Sequence, residues 1–294
     1  MKYVYFPGCT QTATANPYQA SIDAMVKALG LEFQELEDWN CCGATAALNV
    51  DVTLSLVLSG RNLAHAQKQG GNLVTPCSGC YAVLRKTNDY FHEFPDVREK
   101  VQETLAAGNL NYDGSVKVRH LLDVLINDVG LEAIGKAVTH PLKGIKVASY
   151  YGCQLTRPAG GFDDPEVPET LDNLVKALGA EPVPFPMAAQ CCGAMLVATH
   201  PELAYGLIRR IFASAHAGGA QCIITACPLC QNNLEFFQGD VNAMFGTNFK
   251  TPIVYFTQLM GLAMGISPHE LGLDRALVPT ESLVHATVAG GQNG

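Results

Sequence analysis

The chain has 294 residues, 48% of them apolar and only 16% charged, with a formal charge of −8 at pH 7 and eleven cysteines. Such a chain can bury one large core or two ordinary ones, which excludes a disordered tail, and its acidic balance disfavours a nucleic-acid partner. The start MKYVYFPGC carries no apolar signal stretch ahead of a cleavage site, so the cysteines read as metal or redox groups of a cytoplasmic protein rather than a disulfide framework.

A strand is predicted over residues 2–6, apolar and closed by Gly8 ahead of Cys9. Asn16 and Pro17 read as a helix cap and first turn, with Ile22, Met25, Val26 and Leu29 recurring at helical steps until Gly30 stops the helix. A second strand should lead to Cys41 and Cys42, a second helix should follow around residues 54–69, and a third strand over 72–75 should deliver Cys77 and Cys80. The second half repeats this order. A strand over 145–150 precedes Cys153, Leu171, Leu174, Val175 and Leu178 mark a helix stopped by Gly179, and a second strand leads to Cys191 and Cys192. A helix over 202–217 and a strand over 222–225 then lead to Cys227 and Cys230. Uncharged stretches at 182–201, 211–234 and 251–269 are each broken by proline, glycine or glutamine, so no membrane span is expected, and residues 253–266 read as a buried strand running into a helix.

The recurrence is a duplication. YVYFPGC at 3–9 returns as VASYYGC at 147–153, WNCCGA at 39–44 as AQCCGA at 189–194, and GGNLVTPCSGC at 70–80 as GAQCIITACPLC at 219–230. The offset changes from 144 to 150 between the first and second motifs, where a loop at 158–167 can absorb six residues. A period this long means two domains, divided here as 1–143 and 144–294, rather than solenoid units. Strands alternating with helices imply an α/β fold of two Rossmann-like domains with parallel sheets, whose strand carboxyl ends carry the cysteine loops and converge on a ligand site. Duplication further suggests that the halves face each other about a pseudo-twofold axis, with the metal sites on opposite walls of one cleft.

Ten of the eleven cysteines belong to the repeat: Cys9, 31 residues, Cys41 and Cys42, 34 residues, Cys77, two residues, Cys80, and then Cys153, 37 residues, Cys191 and Cys192, 34 residues, Cys227, two residues, Cys230. A four-thiolate zinc site or an ordinary cubane cluster leaves one cysteine per half unused. Five thiolates suit a larger or less regular iron–sulfur cluster, or a four-ligand site with a spare reactive thiol. Gly8, Gly43, Gly79, Gly152 and Gly193 flank the thiols and would let backbone amides approach sulfur.

This doubled pattern resembles the two CCG domains of the B-subunit family of heterodisulfide reductase, over nearly the whole chain. The resemblance implies two noncubane [4Fe–4S] clusters, the first held by Cys9, Cys41, Cys42, Cys77 and Cys80 and the second by Cys153, Cys191, Cys192, Cys227 and Cys230, with a disulfide cleaved between them by one-electron steps. It also implies an iron–sulfur partner like the reductase's C-subunit, a flavoprotein like its A-subunit, and a small disulfide or thiol substrate. Where methanogen members are expected to read CCPAPG, this chain reads CCGATA at 41–46, which makes a bacterial relative an equally good reading. No ferredoxin signature is present, so electrons should enter from another protein of the complex.

Candidate substrate contacts are Gly43, Ala44, Gly193, Ala194 and Arg157, the last for an anionic group. Arg85 and Lys86 are read as solvated, Trp39 as packing and Cys222 as a buried core thiol. The histidines, His120 among them, are read as surface or capping residues, and residues 282–294 as a flexible tail. Two alternatives stand beside the disulfide-reducing enzyme: a zinc-stapled scaffold, and an electron relay that touches no substrate.

Overall fold

The computed structural model describes residues 2–157 and 161–284. Its framework is two four-stranded sheets. The first holds β1 (Lys2–Tyr5), β2 (Glu32–Glu35), β3 (Asn72–Thr75) and β4 (Lys117–His120) in the order β2-β1-β3-β4. The second holds β5 (Lys146–Tyr150), β6 (Glu181–Pro182), β7 (Cys222–Thr225) and β8 (Ile253–Tyr255) in the order β6-β5-β7-β8. Every pairing is parallel. The duplicated α/β fold expected from the sequence is therefore present, with a fourth strand in the first half that the sequence pattern does not reveal.

The central strands β1, β3, β5 and β7 are short, largely apolar and buried, as the inner strands of parallel sheets are. Val4, Tyr5, Leu73 and Val74 are buried in the first sheet and Val147, Ala148, Ile223 and Ile224 in the second, where Cys222 is also fully buried as a core thiol. Ile22 and Met25 of the helix Asn16–Ala28 fill the first core, and Ile208, Ile211 and Phe212 of the helix Pro201–Ala217 fill the second. Asp51 caps the helix Val52–Lys68 by accepting the N–H groups of Thr53 and Leu54 at 2.6 and 3.2 Å. Asn16 does not cap its helix. Its side chain instead accepts a 2.6 Å hydrogen bond from Arg275, a partner from the other half that no local pattern could disclose.

The strand order puts a switch point in each sheet: from β1 the chain moves to one side, and from β3 to the other. The crevice outside the carboxyl ends there is the natural ligand site of such a sheet. Cys9 follows β1, and Cys77 and Cys80 follow β3, so both flank the first crevice. Cys153 follows β5, and Cys227 and Cys230 follow β7, so the second half repeats the arrangement.

The halves pack through these ends. Tyr18 stacks on Tyr255 of the other half with ring centroids 3.9 Å apart and planes 2° from parallel. At the equivalent place across the axis, Phe162 stacks on His120 at 6.4 Å and 14°. His120 and Tyr255 both end fourth strands, opposite Thr75 and Thr225, so in each half the residue closing the fourth strand stacks on an aromatic ring of the other half. Ser21 and Thr257 share a buried 2.6 Å hydrogen bond beneath the first stack. Each half also lends helical structure to the other: Phe256–Ala263 packs on Asn16–Ala28, and Leu131–Lys136 packs on Thr170–Ala177. Residues 158–160 of the expected insertion loop and residues 285–294 of the expected flexible tail lie outside the described residues, while Leu283 of that tail is buried.

Because Tyr18 supplies both the stack and a hydrogen bond to Pro76 O at 3.1 Å, truncation should be felt across the whole molecule. Tyr18→Ala is expected to destabilise the protein by about 3–5 kcal/mol, and Tyr18→Phe by about 1 kcal/mol. Denaturant unfolding followed by circular dichroism checks both, and an unchanged midpoint for the alanine variant would contradict this role.

Candidate metal centre

Each half brings its five cysteines to one place. In the first, the thiols of Cys41 and Cys42 hydrogen-bond, Cys42 contacts Cys80, and Cys80 contacts Cys77, with Cys9 electrostatically coupled to Cys41. In the second, Cys153 contacts Cys191, Cys192 lies 3.6 Å from Cys230, and Cys230 contacts Cys227. The two chains of sulfur adjoin, because the Cys77 and Cys227 thiols lie close enough across the axis to shift each other's titration. Cys9, Cys41 and Cys191 are exposed and Cys153 is half-buried, whereas Cys42, Cys77, Cys80, Cys192, Cys227 and Cys230 are buried. Thus each set has an open edge, formed by its first thiol and the leading thiol of its Cys pair, and a closed edge formed by its CxxC loop. Among the described residues, no three histidine, cysteine or acidic side chains form a ready site for a single ion.

Crowded thiols share protons, and the sulfurs alternate accordingly. Hydrogen bonds from Cys41 and Cys80 push Cys42 well below the usual thiol range, and its two donors are pushed up. The Cys153 thiol, followed by the Gly193 N–H at 3.3 Å, lowers Cys191 to about 6, while Cys153 itself is raised by the same sharing. The thiols of Cys230 and Cys77 lower Cys227, aided by the N–H groups of Leu229 and Cys230. Cys77 and Cys227 each sit at a helix N-cap, ahead of Ser78–Glu93 and Pro228–Phe236, where the helix dipole favours a negative sulfur; Cys227 takes that charge, and sharing with Cys227 pushes Cys77 well up. Cys222, outside both sets, is pushed up to about 12 by burial alone.

The glycines have distinct reasons to be glycine. Gly8 (φ +79°) and Gly152 (φ +67°) leave the space that a Cβ would occupy to a sulfur: Cys80 Sγ lies 3.1 Å from that position in the first half, and Cys230 Sγ lies 3.1 Å from it in the second. Gly43 (φ +86°) and Gly193 (φ +81°) press against the following helices, where a Cβ would meet Ser55 O and Ala204 Cα at 3.0 Å. Both are buried, so they position the CCG turn rather than offer surface. Ala44 and Ala194 are half-buried at the rim of the thiol sets. Gly79 receives Leu229 of the other half, whose Cδ1 lies 3.6 Å from the missing Cβ.

Arg157 lies close enough to lower Cys191 electrostatically and is half-exposed, with Glu166 at 3.9 Å. Arg85 bonds Tyr81 Oη at 2.8 Å and pairs with Asp89 of its own helix, and Lys86 lies over the Tyr90 ring. Trp39 packs edge-on against Phe6, as expected of a packing residue.

His120 corrects the sequence reading. It does accept the Leu122 N–H at 3.1 Å as a cap, but it is fully buried, and its Nε2 lies 3.0 Å from Pro76 O with Ala226 O as a second partner. Those carbonyls immediately precede Cys77 and Cys227, so one imidazole ties together the two CxxC loops. Burial lowers its pKa to about 4, which keeps it neutral as the tautomer with the proton on Nε2. No spacing in the sequence announces this, because the partners come from two other strands.

Two parallel α/β domains, each bringing five thiols to its strand carboxyl ends, define a duplicated cysteine-rich redox fold. The family model of the CCG cysteine-rich domain matches the chain twice, over residues 3–85 and 147–235. The chain is 31% identical to a protein of Archaeoglobus profundus that is itself like the heterodisulfide reductase B-subunit, over 92% of its own length and 93% of that protein's. It is 30% identical to the B-subunit of a ferredoxin/F420H2-dependent CoB-CoM heterodisulfide reductase of Methanosarcina acetivorans, over 93% of each chain. It is 35% identical to the 8-methylmenaquinol:fumarate reductase membrane anchor subunit of Wolinella succinogenes, over 96% of its own length and 99% of that protein's. The fold also matches the crystal structure of a hypothetical protein from Helicobacter pylori, with a TM-score of 0.76 and 15% identity over 95% of this chain and about half (52%) of that one. The chain belongs to the heterodisulfide reductase B-subunit family of duplicated CCG proteins. Among the described residues, no helix is long and apolar enough to cross a membrane.

The all-sulfur donor sets, and the glycine cradles that place a thiol where a side chain would otherwise stand, fit an iron–sulfur group in each half. Gly8→Ala or Gly152→Ala should therefore lower the metal bound per chain by roughly half, because each half carries its own thiols. Gly30→Ala (φ +64°), whose Cβ would meet nothing within 4 Å, should cost only backbone strain of about 1 kcal/mol and leave the metal in place. Metal analysis of the three variants is the check, and equal loss in all three would contradict the cradle.

Proposed function

We propose that this chain is the iron–sulfur component of a multisubunit reductase of the heterodisulfide reductase type. In this reading Cys9, Cys41, Cys42, Cys77 and Cys80 hold one noncubane [4Fe–4S] cluster, Cys153, Cys191, Cys192, Cys227 and Cys230 hold a second, and the division between the two cluster domains falls at 143/144. The observation that carries the reading is the meeting of the two five-thiol sets through Cys77 and Cys227. Clusters supply electrons singly, and two adjoining centres suit a two-electron change at one S–S bond. The protein's own part is to hold ten sulfurs through strand ends, helix N-caps and glycine turns. A small disulfide or thiol would dock at the open edge near Ala44, Ala194 and Arg157, where the guanidinium favours an anionic substrate. Electrons would come from an iron–sulfur partner like the C-subunit of heterodisulfide reductase and a flavoprotein like its A-subunit, in the cytoplasm.

The 35% identity to one component of a fumarate reductase favours a second reading, in which the chain relays electrons between partner proteins and binds no disulfide. One preparation separates the readings. Anaerobically purified chain should be brown, with iron and acid-labile sulfide, and its reduced-state electron paramagnetic resonance spectrum should change when a disulfide is added. A brown protein whose spectrum ignores every disulfide and thiol tried is the relay, and a colourless zinc protein defeats both readings.

Ligation is checked by iron content. Cys42→Ser and Cys192→Ser should each remove roughly half of the iron and alter only one of two signals. Cys222→Ser, remote in the β7 core, should leave both. Unchanged iron in Cys42→Ser would mean four ligands and a free thiol in the first half.

A further inference from the structure

Gln11 is buried to 1% exposure, and neither its amide nitrogen nor its amide oxygen has a hydrogen-bond partner among the described residues. A buried amide without partners costs stability, about 1–3 kcal/mol per unsatisfied group, so its place calls for an acceptor or donor that the protein itself does not provide. Its neighbourhood is the first thiol set. Gln11 lies two residues after Cys9, and the position a Cβ would take on Gly8 is 3.8 Å from Gln11 Oε1 and 3.1 Å from Cys80 Sγ, so the amide and that thiol converge on one point. The loop is held there from the other side by Asn232, whose Nδ2 donates to Thr14 Oγ1 at 2.9 Å.

The second half has no buried amide at this place: its nearest polar groups are the exposed Gln154, whose Nε2 lies 3.8 Å from Cys153 Sγ, and the buried Thr156 hydroxyl, unpartnered among the described residues. Position 155, which corresponds to Gln11 at the offset of 144, is a fully buried leucine. An apolar side chain and an amide thus occupy equivalent buried places beside the two thiol sets.

We propose that Gln11, its amide turned about the terminal bond so that Nε2 takes the place Oε1 now has beside Gly8, donates an N–H to sulfur of the group held by Cys9 and Cys80, and so raises the reduction potential of the first centre relative to what the second half's leucine would give. An N–H directed at cluster sulfur stabilises the more negative, reduced state, so the donor moves the potential upward. The proposal rests on the two-cluster reading above and adds that the two centres are made unequal by this chain.

The test is a redox titration of the anaerobically prepared full chain, monitored by electron paramagnetic resonance. The two waves are assigned to their halves with the Cys42→Ser and Cys192→Ser proteins. Gln11→Leu should shift the first wave to lower potential by about tenfold in its oxidised-to-reduced equilibrium, about 59 mV for one electron, with the second wave and the iron content unchanged. Leu155→Gln should move the second wave upward and decides the matter if Gln11→Leu loses its iron. Iron present with both waves unmoved in these variants overturns the role of Gln11 alone, whereas a wild-type chain without iron and sulfide takes the two-cluster reading down with it.

Discussion

The constraint on which the molecule turns is sulfur crowding. Ten thiols in two contiguous chains must sit in contact without a neighbouring positive charge for each. The protein manages this with means already present in a parallel α/β fold. Strand carboxyl ends at a switch point bring distant loops to one crevice, helix N-termini at Cys77 and Cys227 offer partial positive charge to the innermost sulfurs, and the N–H groups of Leu229 and Cys230 reach Cys227. Protons shared between neighbours dispose of part of the remaining charge, which is why Cys42, Cys191 and Cys227 are lowered while the thiols bonded to them are raised. A soft, multivalent cation-bearing group would neutralise the rest, and the all-thiol composition of both sets restricts which group that is.

Much of this is legible in the sequence because the cysteine spacing is itself a map of the fold. Parallel strands with intervening helices follow from the apolar runs and glycine stops, and doubling of the spacing gives the two halves. The side chains that join the halves are not legible. Asn16 has the chemistry of a cap, yet it serves Arg275, 259 residues away in sequence. His120 looks like any surface or capping histidine until β4 carries it between two carbonyls of other strands. The strand β4 escapes the pattern because KVRH is short and charged at alternate positions, and its inward residues Val118 and His120 do not form an apolar run. The sequence suggests that the glycines make room for amides, which holds for Gly193 beside Cys191, but at Gly8 and Gly152 the room is taken by a sulfur.

Face-to-face duplication also answers a difficulty of the crevice itself. A switch-point crevice opens to solvent, and a single domain would leave its CxxC thiols exposed to water and oxidants. Here each half closes the other: Tyr18 on Tyr255, Phe162 on His120, and Leu229 against Gly79 cover the buried edge of both sets, and exchanged helices fix the arrangement. Of the ten thiols, Cys9, Cys41, Cys153 and Cys191 keep an exposed or half-buried edge, so access from outside is confined to one end of each set. A redox site needs this combination, a dry interior that strengthens electrostatic control and one open side for exchange.

The axis is only approximate, and some of its departures lie where the halves touch. His120 stands opposite Tyr255, Gly79 opposite Leu229, and Gln11 opposite Leu155, whereas the cysteines themselves and the cradle glycines Gly8 and Gly152 are preserved in both halves. At these places the ligand residues are held equal while the side chains around the two thiol sets differ. Two electron carriers in identical surroundings would divide an electron evenly, whereas unequal surroundings give it a direction. On the proposed two-cluster reading, the residues at the axis are the part of this fold in which a duplicated metal site would become an ordered pair.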